Sequence, residues 1–133
     1  MPEVNNVMIV DDNDTDLLIA RIIIEKTGFK GGIVTKNSGR GALEYLQNIV
    51  NDPASWPQLI FLDINMPVVN GFVFLYEFEQ LPKELTSNTK IAVLTSSDNK
   101  MDMEKFFNSE FIVEFVPKPI TMDSFKEVIN KLQ

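Results

Sequence analysis

The sequence predicts an α/β fold: a single doubly wound domain with a five-stranded parallel sheet. The chain has 133 residues, which is the size of one ordinary domain. Its most apolar stretches include five short runs, each suited to a strand that is buried on both faces. Segments with helical spacing separate these runs, and such an alternation is typical of a parallel sheet that is covered by helices.

Each predicted strand is a short apolar run, and three of the runs end directly at a polar residue of chemical interest. The first run ends at Asp11, the third at Asp63 and the fourth at Thr95. The predicted strands, in chain order, are residues 7–10, 33–35, 59–62, 91–94 and 112–116.

A helix is predicted after each strand, and several helix ends carry start or stop signals. Asn13 or Asp14 can cap the first helix, and Gly28 stops it. This helix is apolar on most sides, so we expect it to be well buried. Ser38 caps the second helix and Thr121 caps the last. The predicted helices cover about residues 15–26, 39–50, 72–79, 100–107 and 122–132.

The composition excludes several kinds of site. The chain has no cysteine and no histidine, which removes disulfides, thiolate or imidazole metal sites and histidine-dependent nucleophiles. A metal site would therefore use oxygen ligands, which favours Mg²⁺, Ca²⁺ or Mn²⁺. The net charge of -7 argues against nucleic-acid binding. With no apolar run that would span a membrane and no secretory signal, the expected location is cytoplasmic.

Polar residues gather where the predicted strands end. Asp11 and Asp12 follow the first strand, Asp63 the third and Thr95 the fourth, while Lys118 comes soon after the fifth. Ligands bind at this edge of an open parallel sheet. Three carboxylates repel one another and need a counter-charge such as Mg²⁺, while a lysine and a hydroxyl can contact an anion. This combination is suited to phosphoryl transfer onto a carboxylate.

The same residues carry a resemblance to a known family. The matching pieces are Asp11-Asp12, Asp63-Ile64-Asn65-Met66-Pro67 with Gly71 shortly after, Thr95-Ser96 and Lys118-Pro119. In this order and at these spacings, the chain resembles bacterial response-regulator receiver domains of the stand-alone, chemotaxis-receiver type over almost its whole length. The resemblance implies a flavodoxin-like (βα)5 fold and a role in a two-component phosphorelay.

The resemblance also implies a role for each matching residue. Asp63 would be the phosphoacceptor, and Thr95 and Lys118 would contact the phosphoryl group. The implied ligands of Mg²⁺, or of Mn²⁺, are the carboxylates of Asp12 and Asp63, the backbone carbonyl of Asn65 and, mainly through water, Asp11. Asn65 and Ser97 would tune the lifetime of the phosphoryl group.

Two further expectations concern the fifth strand and the loop after it. The resemblance implies that Phe115 is an aromatic switch whose ring follows Thr95 after phosphorylation. Ordinary core packing would also explain Phe115, because it lies inside an apolar strand. The resemblance further implies a cis peptide bond before Pro119, which would aim Lys118.

The resemblance also implies the expected partners, and because the chain has no histidine, a phosphohistidine donor must lie on another chain. The phosphoryl group would come from a phosphohistidine on a histidine kinase or phosphotransfer protein, and the chain would catalyse only its own phosphorylation and dephosphorylation. We expect one receiver domain over residues 1–133 without an output domain, so the signal would leave through a surface. The candidates for binding a downstream target or a second copy, unless they are simply buried, are Met101, Met103, Phe106, Phe107, Phe111 and Phe115.

Three alternatives remain open at this point. A phosphatase of the aspartyl-phosphate type also uses an aspartate at a strand end, but it usually has a second aspartate where this chain has Asn65. A flavodoxin-like cofactor binder needs a phosphate-cradling loop after the first strand, and this chain has acidic residues there. A receiver that serves only as a docking module would not need the full set of matching residues.

Overall fold

Five parallel strands form one sheet in the computed structural model of the chain, which describes residues 4–64, 66, 69–95 and 108–132. The strands are β1 (Asn6–Val10), β2 (Gly32–Lys36), β3 (Leu59–Asp63), β4 (Lys90–Thr95) and β5 (Ile112–Pro117). Their order across the sheet is β2-β1-β3-β4-β5. The strand order therefore reverses between β1 and β3, which is the place where open sheets bind ligands.

Helices lie between β1 and β4 and after β5 in the described part of the chain, and the predicted doubly wound α/β fold is confirmed. Among the described residues they are α1 (Asp14–Lys26), α2 (Gly39–Asn48), α3 (Gly71–Glu79), α4 (Lys83–Thr86) and α5 (Met122–Leu132), with a 3-10 turn at Pro53–Ser55. The sequence did not predict the short α4, because a single helical turn is too short to show periodicity. The helix predicted at 100–107 lies outside the described residues. None of the described helices has the length and apolar character to cross a membrane.

The sheet is buried on both faces, which explains why its strands are continuous apolar runs. Successive residues of β1 point to opposite faces. Val7 and Ile9 pack with the buried residues of α1 and α5, whereas Met8 and Val10 pack with those of α2 and α3. The carboxyl ends of the strands therefore meet at one edge above a core that holds them in place.

The predicted start and stop signals are found at the helix ends. Asn13, rather than Asp14, caps α1, and the side chain of Ser38 caps α2. The hydroxyl of Thr121 accepts the N–H three residues later, at the start of α5, at 3.0 Å. Gly28 follows α1 with a φ of 90°, a conformation that glycine adopts without strain.

The expectation that α1 is well buried is wrong for half of its large apolar residues. The buried residues of the helix are Leu17, Ala20 and Ile24. Leu18, Ile19 and Ile22 are 58%, 43% and 41% exposed. A helix on the outside of a sheet buries one stripe of its surface, so the apolar residues on its other side face solvent.

Candidate functional site

Three carboxylates converge at the carboxyl edge of the sheet. One oxygen from each of Asp11, Asp12 and Asp63 lies within 4.8 Å of the others. The convergence follows from the pairing of β1 with β3, in which Val10 lies opposite Leu62. The next residues in the two strands are then Asp11 and Asp63. The structure therefore brings together the acids that the sequence placed at two separate strand ends.

The acids differ in their exposure. Asp11 and Asp63 are 1% and 4% exposed, whereas Asp12 faces solvent. The N–H of Asn13 donates to Asp11 Oδ1 at 2.9 Å, which fixes the Asp11 side chain at the end of β1. An exposed carboxylate beside two buried ones leaves oxygen atoms of the cluster accessible from solvent.

Lys118 sits among these carboxylates. Its Nζ lies 2.7 Å from Asp11 Oδ2 and 3.3 Å from Oδ2 of both Asp63 and Asp16. Burial alone would lower the pKa of Lys118, but the hydrogen bond to Asp11 and the charges of Asp63 and Asp11 outweigh burial and raise it. Lys118 is therefore a permanent positive charge at neutral pH.

One ammonium does not balance the negative charge around it. Burial raises the pKa of Asp11, and the charge of Asp63 adds to the rise, although the hydrogen bonds from Lys118 and Asn13 oppose it. Removing a carboxylate from water disfavours its charged form, and nearby like charges do the same. A further cation would therefore stabilise the site. All the potential metal ligands of the acidic cluster are oxygen atoms, which suit a hard dication.

Thr95 reaches the same edge through β4. It is 3% exposed and follows Leu94, which pairs with Asp63 across the sheet. The backbone N–H of Lys118 donates to the Thr95 carbonyl oxygen at 2.7 Å, so the ends of β4 and β5 are joined directly. The predicted cis bond between Lys118 and Pro119 is present.

Gly71 holds the loop after Asp63 in place. Its N–H donates to the carbonyl oxygen of Ile64 at 3.2 Å, and a Cβ at Gly71 would lie 2.9 Å from Ile64 Cα. Only a residue without a side chain allows the start of α3 to approach the backbone beside Asp63 so closely. The glycine of the sequence motif therefore has a packing reason.

Several predicted site residues cannot be placed. Asn65, Pro67, Ser96 and Ser97 lie outside the described residues. Phe115 is 8% exposed and belongs to the core cluster on the α2 and α3 side of the sheet. Its role as a switch stays a prediction.

Sequence reasoning missed Asp16. It lies in the first turn of α1, and its carboxylate is the third partner of the Lys118 ammonium. The signal was available, because a helix that starts directly after the Asp11-Asp12 pair carries its first turn past the same edge of the sheet. The approach of Lys118 to that turn could not be predicted from the sequence.

The chain is similar to proteins of one family. A sequence profile for the response regulator receiver domain matches residues 7–130. A two-component response regulator from Cytophaga hutchinsonii has a crystal structure with a TM-score of 0.88 and 27% identity, covering 98% of both chains. The probable methanogenesis regulatory protein FilR2 of Methanothrix harundinacea is 24% identical over 96% of this chain and 80% of its own length. The autoinducer 1 sensor kinase/phosphatase LuxN of Vibrio campbellii is 25% identical, also over 96% of this chain, which spans 14% of LuxN.

Proposed function

The chain belongs to the response regulator receiver domain family, and from this premise we propose that Asp63 accepts a phosphoryl group in two-component signalling. Receiver domains interact with histidine kinases or phosphotransfer proteins, which are the expected donors. The observation that carries the proposal is the position of Asp63. Its carboxylate lies in a cluster of three acids and contacts the Lys118 ammonium at 3.3 Å.

The acidic cluster fits a hard dication, and we assign Mg²⁺ to it. Asp12 and Asp63 would bind the ion through carboxylates, with Asp11 acting through water. The fourth proposed ligand, the carbonyl of Asn65, lies outside the described residues. When bound, Mg²⁺ would neutralise the charge on the oxygens of the transferring phosphoryl group.

The proposed transfer forms one bond and breaks one. An oxygen of the Asp63 carboxylate attacks the phosphorus atom of the phosphohistidine. The P–N bond breaks, and its electron pair leaves with the partner's imidazole. Lys118, which is positively charged at neutral pH, balances the charge on a phosphoryl oxygen, and the Thr95 hydroxyl donates to another.

Water ends the proposed signal by hydrolysing the acyl phosphate. It attacks phosphorus, the bond between phosphorus and the Asp63 oxygen breaks, and the carboxylate and inorganic phosphate result. Asn65 and Ser97 would flank the path of this water and so set the lifetime of the phosphoryl group. In this scheme the chain acts only on its own aspartate.

The proposed output is a change in protein binding at a surface predicted to involve residues 100–107, which lie outside the described residues, and β5. Met101, Met103, Phe106 and Phe107 supply the apolar bulk for such contacts. In the described part of this region, Phe111 packs on Phe78 with ring centroids 5.3 Å apart, and Phe115 is buried. The binding contacts would therefore come chiefly from residues 100–107.

The test of the output surface compares phosphorylated and unphosphorylated protein. We expect phosphorylation to change self-association, or the affinity for a target, and polar substitutions of Met101 and Phe106 to abolish the change. If the phosphorylated protein stays monomeric and these variants bind every partner normally, this assignment is wrong.

The test of the phosphoacceptor uses the Asp63→Asn variant and a small acyl phosphate donor. Wild type should incorporate phosphate in the presence of Mg²⁺, and hydroxylamine should remove it because the bond is an acyl phosphate. Asp63→Asn should incorporate none, while the control Asp123→Asn, which changes an exposed aspartate at the start of α5, should behave as wild type. Full labelling of Asp63→Asn would refute the proposal.

A further inference from the structure

Asp16 differs from the other two carboxylates that pair with Lys118. Its side chain is 43% exposed, whereas those of Asp11 and Asp63 are 2% and 6% exposed. Asp11 directly follows the buried strand β1 and Asp63 ends the buried strand β3, whereas Asp16 belongs to the first turn of α1. Asp16 is therefore the partner that can release Lys118 at the lowest cost, because water can solvate its carboxylate.

The Lys118 ammonium has room to change partners. A cavity of about 180 Å³ borders it, and the polar part of the cavity wall consists of Asp11, Asp16 and Lys118. The Nζ atom lies at the same distance, 3.3 Å, from Asp16 and from Asp63. The two carboxylates thus share one ammonium that is not tightly held by either.

We propose that Asp16 is a positioning residue that restrains phosphorylation of Asp63 by holding the Lys118 ammonium, for which it competes with the incoming phosphoryl group. The inference rests on the proposed function, in which Lys118 turns to an oxygen of the incoming phosphoryl group. The contact with Asp16 draws the ammonium away from that oxygen and must be released during the transfer.

The size of the effect follows from the exposure of the pair. An ion pair with a half-exposed partner changes an equilibrium or a rate by about threefold. Removing the Asp16 charge should therefore accelerate phosphorylation of Asp63 by about this factor. The Asp11 contact at 2.7 Å keeps Lys118 in the site when Asp16 is replaced.

The experiment measures the rate of phosphorylation by a small acyl phosphate donor with saturating Mg²⁺ in four proteins: wild type, Asp16→Asn, Asp16→Glu and Asp14→Asn. Asp14 lies in the same turn and is exposed, but it is not among the described carboxylates that pair with Lys118. Asp14→Asn therefore removes the same charge from the same turn without changing the Lys118 pairing.

We expect Asp16→Asn to react about threefold faster than wild type and the other two variants to react at the wild-type rate. An unchanged or slower Asp16→Asn, an equal acceleration in Asp14→Asn, or a Glu variant as fast as the Asn variant would overturn the inference. These results leave the phosphoacceptor assignment intact. If wild type itself takes up no phosphate, the proposed function fails and this inference fails with it.

A second readout does not depend on phosphorylation. The ¹⁵N-ammonium NMR signal of Lys118, assigned by its loss in Lys118→Arg, should shift in Asp16→Asn and stay in place in Asp14→Asn. A general loss of structure would instead move signals throughout the spectrum and lower the thermal midpoint. An unmoved Lys118 signal in Asp16→Asn would overturn the inference.

Discussion

At the scale of single residues, Asp11 is a carboxylate whose negative charge is unfavourable in the folded protein. It is almost fully buried, and its raised pKa means that its ionised form is less favourable in the folded chain than in water. The pKa of Lys118 is raised as well, so the ammonium stays charged across the neutral range. Three carboxylates contact this one ammonium, so the acidic groups outnumber their counter-charge.

We predict that Asp11→Asn stabilises the metal-free protein. Because the folded-state pKa of Asp11 is raised above its ordinary value of 3.8, stability falls as pH rises from that value through the folded-state pKa. Asp11→Asn has no carboxylate at this position and so does not lose stability as the pH rises. Its amide oxygen can still accept a hydrogen bond from Lys118. Urea unfolding in EDTA should therefore show a more stable variant at pH 7, with a gap that narrows toward pH 4. A less stable variant at pH 7 would contradict this electrostatic account.

The residues of the site differ in how far the sequence could predict them. Asp11, Asp63 and Thr95 each come directly after an apolar run, so the strand pattern alone placed them at one edge of the sheet. Lys118 follows the end of β5 closely enough for the same argument. The position of Asp16 near this edge could be inferred from its place in the first turn of α1, but its contact with Lys118 could not, because the contact depends on the angle at which α1 leaves the edge and on the reach of a lysine.

The close packing of Gly71 against the backbone of Ile64 leads to a second prediction at this scale. In Gly71→Ala the added Cβ would lie 2.9 Å from Ile64 Cα, and a backbone atom cannot move aside as the end of a side chain can. We expect a loss of about 1–3 kcal/mol in the free energy of unfolding, measured with urea. We also expect slower phosphorylation, since the displaced backbone adjoins Asp63. A variant with wild-type stability would show that the loop relaxes freely.

At the scale of elements, α1 shows where sequence patterns overestimate burial. Its apolar residues lie on most sides of the helix, which suggested a well-buried element. The structure lays the helix on one face of the sheet, so Leu18, Ile19 and Ile22 remain on the outer side. The pattern predicted the helix and its cap correctly, but the number of neighbours that cover a helix is a property of the whole fold.

The two sides of α1 should respond differently to substitution. Ile24 is fully buried, so Ile24→Ala should cost about 2–5 kcal/mol through lost contacts and a cavity. Leu18 is 58% exposed, so Leu18→Gln should change the free energy of unfolding by about 0.5 kcal/mol or less. Urea unfolding of both variants measures the difference. Equal costs would mean that the outer side of α1 is covered in the native protein.

At the scale of the whole molecule, the fold creates the site by joining distant parts of the chain. Asp11 and Asp63 are adjacent only because β1 and β3 pair in the centre of the sheet. The alternation of strands and helices predicted a parallel sheet with these residues at one edge, but the order of the strands, and so the pairing of β1 with β3, comes from the structure. The short α4 lacked any comparable signal, because one turn buries too little to create a pattern.

The assembled site leads to a final prediction about Mg²⁺. An unfolded chain does not hold the three acids within 4.8 Å of one another, so the ion should bind the folded state almost exclusively. Mass action then stabilises the fold by about 2.7 kcal/mol when free Mg²⁺ is one hundred times its dissociation constant. Thermal unfolding in EDTA and in Mg²⁺ should show this as a higher midpoint for wild type.

Two variants separate specific binding from a general salt effect. Asp12→Asn removes a proposed, exposed ligand and should have little effect on the metal-free fold, and Asp11→Asn should be more stable than wild type without metal. Both should gain less from Mg²⁺ than wild type does, because each has lost a charge that the ion neutralises. If Mg²⁺ stabilises all three proteins equally, the ion does not act at this cluster. If Mg²⁺ stabilises only wild type, the excess negative charge that destabilises the metal-free fold is also the feature that binds the ion.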